Sequence, residues 1–213
     1  MYRVQRSGRF KGSTSSNIAL AIEASKLHEV ITGAPLAAWL TVAGSPAGTF
    51  GWTSWVETLD QLATRNDQLI ASAIWGKLED KAANVATEWS VDQIAQVIVV
   101  PGVLGKVAQP GSRVLQSMVR ANQTADPMEM LQWATKMAEV TDRVSGGSAG
   151  LSQCGFGPDW GTYNFSQLYP DAKALDAGVA RSMANAEYLS VFMEGRKYVD
   201  ISSMRRALMV KIA

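Results

Sequence analysis

Histidine and cysteine are almost missing from this chain, with one of each, His28 and Cys154, in 213 residues. A lone histidine excludes any site that needs two, including the common zinc constellations built on paired histidines. A lone cysteine excludes an intrachain disulfide and any paired-cysteine redox or metal motif. Charge of either sign is not in excess: 20 Lys plus Arg face 19 Asp plus Glu, for a net charge of +1, which leaves no electrostatic footprint for nucleic acid. Long apolar runs are absent too, so nothing approaches the roughly 20 residues of a membrane span, and no charged-then-apolar leader follows Met1. The glycine clusters Gly146-Gly147 and Gly155-Phe156-Gly157 lack the following helix with lysine or serine that a phosphate loop requires. The expectation is a soluble, cytoplasmic protein without nucleic-acid binding or membrane insertion. Hydrophobic residues at 47% against 18% charged ones exclude disorder and allow a sizeable core.

What is present is a repeat. Gly48-Thr49-Phe50-Gly51-Trp52 returns as Gly161-Thr162-Tyr163-Asn164-Phe165, an offset of 161 − 48 = 113. Arg3-Val4 is answered by Arg113-Val114 at 110, and Ile94 to Val100 by Arg206 to Ile212 at 112. Trp75 and Tyr188 also stand 113 apart. Offsets so nearly constant indicate one duplicated unit, with copies at 1–105 and 106–213, rather than a solenoid of short repeats.

Each copy has the same element order. In the first, Tyr2 to Phe10 alternates with period two, as a strand does. Ser13 to Ser16 offer caps to a helix whose apolar stripe is Leu20, Ala24, Leu27 and Ile31, ended by Gly33 and Pro35. Leu36 to Val42 and Gly48 to Val56 form a hairpin, Leu59 to Ser72 and Lys77 to Ala86 a helical region broken near Trp75-Gly76, and Gln93 to Val100 a closing strand. The second copy opens with strand Ser112 to Arg120. Its first helix starts at Asp126-Pro127-Met128-Glu129, a capping box with proline in the first turn. Leu151 to Phe156, Gly161 to Tyr169 and Met204 to Ile212 supply the remaining strands.

The order β-α-β-β-α-β is ferredoxin-like and leaves one apolar sheet face uncovered. Two copies in one chain can bury those faces against each other. On the third-strand pair above, on Glu57-Thr58-Leu59-Asp60-Gln61-Leu62 with Tyr169-Pro170-Asp171-Ala172-Lys173-Ala174-Leu175, and on Asn185-Ala186-Glu187-Tyr188-Leu189, the chain resembles the dimeric α/β-barrel superfamily in its fused tandem form. Within it, the segment around Tyr188 is similar to NIPSNAP-like and antibiotic-biosynthesis-monooxygenase-like proteins. The resemblance implies an α+β fold of two tandem repeats packed sheet to sheet. It implies a small-molecule site in cofactor-free monooxygenases and isomerases, haem in some relatives, and no assigned activity in others.

The candidate ligand-binding residues are the hairpin aromatics Trp39, Trp52, Tyr163 and Phe165, with Arg6 as a source of charge. Strand parity places Phe50 and Trp52 on one face and Trp55 on the other. No cofactor is required by these residues, and no metal site is expected. His28 is read as a residue at the polar edge of the first helix, with haem ligation the minor alternative. Cys154, with no base beside it, reads as a small buried hydrophobe. A second functional reading is a non-catalytic interaction module that assembles into a homo-oligomer.

Overall fold

The computed structural model describes residues 1–89, 92–99 and 108–213, so the copy boundary near 105 and the end of the first closing strand at Val100 lie outside the described residues. In the first copy, strand β1 (Tyr2–Phe10) leads to helix α1 (Thr14–Thr32), the hairpin β2 (Ala37–Ala43) and β3 (Thr49–Val56), helices α2 (Leu59–Ile70) and α3 (Ala73–Val85), a short β4 (Ala86–Trp89) and β5 (Gln93–Val99). The second copy comprises β6 (Arg113–Ala121), α4 (Pro127–Ser145), β7 (Ser148–Phe156), β8 (Tyr163–Tyr169), α5 (Ala172–Ala184), α6 (Ala186–Glu194) and β9 (Val199–Lys211). Each helix begins where a short polar side chain takes up a free amide: Ser13, Thr58 and Ser72 in the first copy, Asp126, Asp171 and Asn185 in the second. The helical break of the first copy falls at Ala71-Ser72, ahead of the Trp75-Gly76 position expected from sequence.

All the described strand pairs are antiparallel, and they close a ring. β1 pairs with β3, β3 with β2, β2 with β9, β9 with β6, β6 with β8, β8 with β7, β7 with β5, and β5 with β1. Two of these ladders, β2–β9 and β5–β7, join one copy to the other. The expected tandem ferredoxin-like barrel is therefore present, its halves joined by main-chain hydrogen bonds as well as face to face. β4 is an unforeseen addition that pairs with the far end of β1.

Strand register corrects the alignment of the copies. Tyr2 pairs with Val56 and Arg113 with Tyr169, so β1 matches β6 at 113 − 2 = 111 and not at the 110 suggested by Arg3-Val4 and Arg113-Val114. A slip of one residue exchanges the two faces of a strand: Arg3 points into the barrel, while its apparent twin Arg113 is bonded to the Gly111 carbonyl at its own strand start. β5 matches β9 at 210 − 96 = 114, two beyond the sequence offset and hence on the same face.

The barrel interior is not the apolar interface expected. Gln116 Nε2 donates to Gln5 Oε1 at 3.3 Å, across the ring between strands on opposite sides and between residues matched by the 111 offset. Arg3 Nη1 reaches Ser166 Oγ at 3.4 Å, and Ser152 and Asn164 are buried nearby on paired strands. Closure through backbone ladders explains how a polar interior is tolerated, since the copies do not depend on an apolar face to stay together. The apolar cores lie instead between barrel and helices. One gathers Phe10, Ala21, Ala38, Phe50 and Trp52, and the larger one Met130, Trp133, Met137, Leu151, Tyr163 and Tyr188.

Two stability predictions follow from this layout. Arg3 is buried, its Nε lacks a hydrogen-bond partner among the described residues, and desolvation lowers its pKa to about 10. A cation whose folded pKa is depressed destabilises the fold at neutral pH, a cost relieved only as pH rises through 10. Arg3→Met, which keeps the stem, is expected to leave stability unchanged or raise it by about 1–2 kcal/mol in urea unfolding; a loss of more than about 2 kcal/mol would contradict this. Trp75 and Tyr188 sit at matched places, each donating its amide to the capping side chain, Ser72 or Asn185. Tyr188 is buried, but Trp75 is only half-buried because it borders a cavity. Tyr188→Ala should therefore cost about 3 kcal/mol and Trp75→Ala nearer 1–2, an asymmetry that thermal unfolding of the two variants would measure.

Candidate functional site

Between the sheet and the helices of the first copy lies an open cavity of about 570 Å³. Phe10 and Trp52 on the strands, with Trp89 from β4, form its aromatic wall. Phe10 meets Trp89 edge-on at 5.3 Å between centroids and Trp52 at 5.8 Å, and Trp89 tilts over Trp52 at 6.2 Å. Gly8 permits this, because a Cβ there would press on the Trp89 ring at 3.0 Å. Leu20 and Ala24 of α1, Leu62 and Leu69 of α2, and Trp75 and Leu78 of α3 complete the apolar lining. The helix packing departs from the expected stripe: the deepest residues of α1 are Asn17, Ala21, Ser25 and His28, while Leu20, Ala24, Leu27 and Ile31 flank them half-buried, Leu20 and Ala24 bordering the cavity.

The polar rim balances. Arg6 donates twice to Asp92, at 2.6 and 2.7 Å, a bidentate pair that raises the arginine pKa further. Arg65 Nη1 donates to the Trp55 carbonyl at 2.7 Å, and Trp75 Nε1 donates to Glu79 Oε1 at 3.0 Å. The Trp52 indole N–H is buried and has no acceptor among the described residues.

His28 corrects the sequence reading. It is not at a polar edge but only 6% exposed, lining this cavity with its ring edge-on to Trp75 at 6.3 Å. Gly33, in the left-handed conformation at φ 68°, turns the chain at the end of α1 so that the Ala34 carbonyl comes within 3.0 Å of His28 Nδ1. A carbonyl can only accept, so Nδ1 carries the proton and Nε2 is the bare acceptor of the neutral ring. Thr32, 3.2 Å from Nδ1, donates its hydroxyl to the His28 carbonyl at 2.8 Å. Burial pushes the His28 pKa below its ordinary 6.5; the Ala34 bond opposes this and Arg65 adds to it.

The second copy holds the matching cavity, about 240 Å³. Both first helices have 19 residues, so the 113 offset matches Leu20 with Trp133, Ala24 with Met137 and His28 with Thr141. Larger side chains from α4 fill space that α1 leaves open, and the imidazole has no counterpart.

The structure separates the residues predicted from sequence. Arg6 and Trp52 line the first cavity, and Phe165 lines the second. Tyr163 is packed in the second core. Trp39 lies in the barrel, its Nε1 donating to Thr53 Oγ1 at 2.9 Å. Trp89 and the cavity-facing role of His28 were missed. The signal for Trp89 was faint, since it rests on a short strand with no repeat partner. Cys154 is buried, its thiol pushed up by desolvation and donating to the Phe156 carbonyl at 3.2 Å, as an inert thiol does.

A haem, which the superfamily resemblance allows, is a poor fit to the first cavity. His28 Nε2 would be its only histidine ligand, but the rim offers no surplus positive charge for the propionates, with Arg6 held by Asp92 and Glu79 close by. Among the described residues no cluster of three or more metal-ligating side chains occurs, and no helix is long and apolar enough to cross a membrane.

No protein-family profile matches this sequence, and neither does any curated protein. Solved structures do match in fold. A candidate monooxygenase from Fusobacterium nucleatum subsp. nucleatum superposes with a TM-score of 0.74 at 7% identity, covering 100% of this chain and 92% of its own. An anthrone oxidase-like protein gives 0.63 at 9%, covering 100% and 91%. A candidate chlorite dismutase gives 0.56 at 12%, covering 99% and 95%. These likenesses establish the dimeric α/β-barrel fold over essentially the whole chain.

As the sole histidine, His28 gives one imidazole signal pattern. A long-range proton–nitrogen spectrum is expected to show the Nδ1–H tautomer titrating below 6.5. Because the folded pKa is depressed, the unfolded chain takes up the proton first, so stability is full above 6.5 and falls as pH drops from there toward the folded value. His28→Asn should flatten that acid slope; a titration at or above 6.5 would place the ring in water.

Proposed function

We propose that the chain binds a planar, mostly apolar aromatic molecule in the first cavity and acts on it without a cofactor, as a monooxygenase or isomerase. The observation that carries this reading is a cavity of about 570 Å³ walled by Phe10, Trp52, Trp75 and Trp89 and lined by a single imidazole, that of His28, whose Nδ1 is taken up by the Ala34 carbonyl and whose Nε2 is left as an acceptor. That volume lies within the range of ordinary ligand sites. Apolar walls with few polar groups orient a ring system, and exclusion of water strengthens each remaining polar contact. A bound aromatic with an acidic O–H or C–H would give its proton to His28 Nε2. The resulting electron-rich anion, rather than a cofactor, would then react with dioxygen or rearrange. The fold shared with an anthrone oxidase-like protein is consistent with such substrates. The NIPSNAP-like resemblance stays at the level of the segment around Tyr188.

A second reading has its own support. Val30, Ile70, Ile74 and Trp160 are 64–83% exposed, which favours a non-catalytic module in a larger homo-oligomer.

The test is a tryptophan-fluorescence titration with naphthols and anthrone, with anthrone consumption followed in air. A saturable response that shrinks in Trp52→Ala is expected, with turnover falling about 100-fold or more in His28→Asn while binding changes little. The pH profile of kcat/KM should decline on acidification with a midpoint below 6.5, since the base must be unprotonated. A flat titration together with assemblies larger than one chain would favour the second reading, and a haemin Soret band dependent on His28 would favour haem.

A further inference from the structure

The second cavity plays no part in the function proposed above, and its charge differs from that of the first. The first balances Arg6 and Arg65 with Glu79 and Asp92, whereas the only charged side chains lining the second are Arg196 and Arg206. Arg206 Nε donates to Ser117 Oγ at 3.2 Å, and the rest of its guanidinium and all of Arg196 have no acceptor among the described residues. The carboxylates beside Tyr188 and Gly195 in the chain are engaged elsewhere: Glu187 with Arg143 and Glu194 with Lys136. Behind the two exposed arginines the lining is mostly aromatic and apolar, with Trp133, Phe165, Tyr188, Met137 and Met204 beside the uncharged polar Ser117, Thr141, Ser166 and Gln167. Trp133 is anchored there by a 2.8 Å bond from its Nε1 to the Val191 carbonyl.

We infer that this cavity is a separate binding site for a small aromatic carboxylate. The ring enters the aromatic pocket, where offset and edge-on packing favour it. The carboxylate stays at the mouth, where the free guanidinium N–H groups of Arg196 and Arg206 supply charge-assisted hydrogen bonds. A volume of about 240 Å³ suits one or two fused rings and not a larger polycycle. With no histidine, cysteine, aspartate or glutamate in its lining, the site has no strong metal ligand to offer. The duplicated fold thus presents two cavities of different character, one charge-balanced with an imidazole and one cationic.

Methionine labelling separates the two sites, because Met137 and Met204 line the second cavity and no methionine lines the first. The full chain, carrying carbon-13 methionine methyl groups, would be titrated with 2-naphthoate and with the neutral 2-naphthalenemethanol. Saturable shifts of the Met137 and Met204 methyls are expected, with naphthoate binding about fivefold or more tighter at low salt. That advantage should shrink as salt is added and vanish in the Arg196→Gln, Arg206→Gln double variant. Both arginines are exposed, and the comparison of the two probes on the unaltered chain needs no variant. The proposal is overturned if naphthoate leaves both methyls unmoved, if the two probes bind equally, or if the preference survives in the double variant.

Discussion

The ladders β2–β9 and β5–β7 are the constraint on which the rest of the structure depends. Each joins a strand of one copy to a strand of the other, and together they turn two open sheets into one ring without free edges. The C-terminal residues prolong the first of them: Ile212 N–H donates to the Ala38 carbonyl, which is followed by a bond from Ala38 N–H to Ala213. Since main-chain bonds hold the ring, its interior is free to be polar, with Gln5 meeting Gln116 across the pseudo-twofold axis. The helices on the outside are then free to diverge.

That freedom accounts for the two cavities. The frame places Leu20, Ala24 and His28 of α1 where Trp133, Met137 and Thr141 of α4 stand in the other copy. Trp133 in place of Leu20 and Met137 in place of Ala24 put more bulk between helix and sheet in the second copy, in keeping with a cavity of about 240 Å³ against about 570 Å³, although Thr141 is smaller than His28. Charge diverges along with volume. Asp92 and Glu79 offset the arginines of the first cavity, while Phe192 occupies the position that the 113 offset assigns to Glu79.

The fold was legible because period-two strands, capped helices and glycine stops recur in the same order in both halves. The site was legible only in part. Arg6 and Trp52 line the first cavity and Phe165 the second, but Trp39 shares its strand with the helix-facing Ala38 and Leu40 and points the other way, into the barrel. The charged neighbours of His28 gave it the look of a surface residue, yet Gly33 folds the chain back so that Ala34 covers its ring. Trp89 joined the wall through a short strand that pairs with Gly8 to Phe10, the missing side chain of Gly8 leaving room for its ring.

By itself the sequence determined the duplication, the β-α-β-β-α-β order and the absence of paired histidine or cysteine chemistry, because each is written in local pattern or in composition. It could not determine register, since identical dipeptides at Arg3-Val4 and Arg113-Val114 suggested an offset one residue short, and one residue exchanges the faces of a strand. Tertiary structure alone decided which aromatics share a cavity, that His28 lines it with Nδ1 bonded to the Ala34 carbonyl, and that the barrel encloses polar side chains. Those outcomes depend on contacts between residues far apart in the chain, whose partners are fixed only when the ladders close.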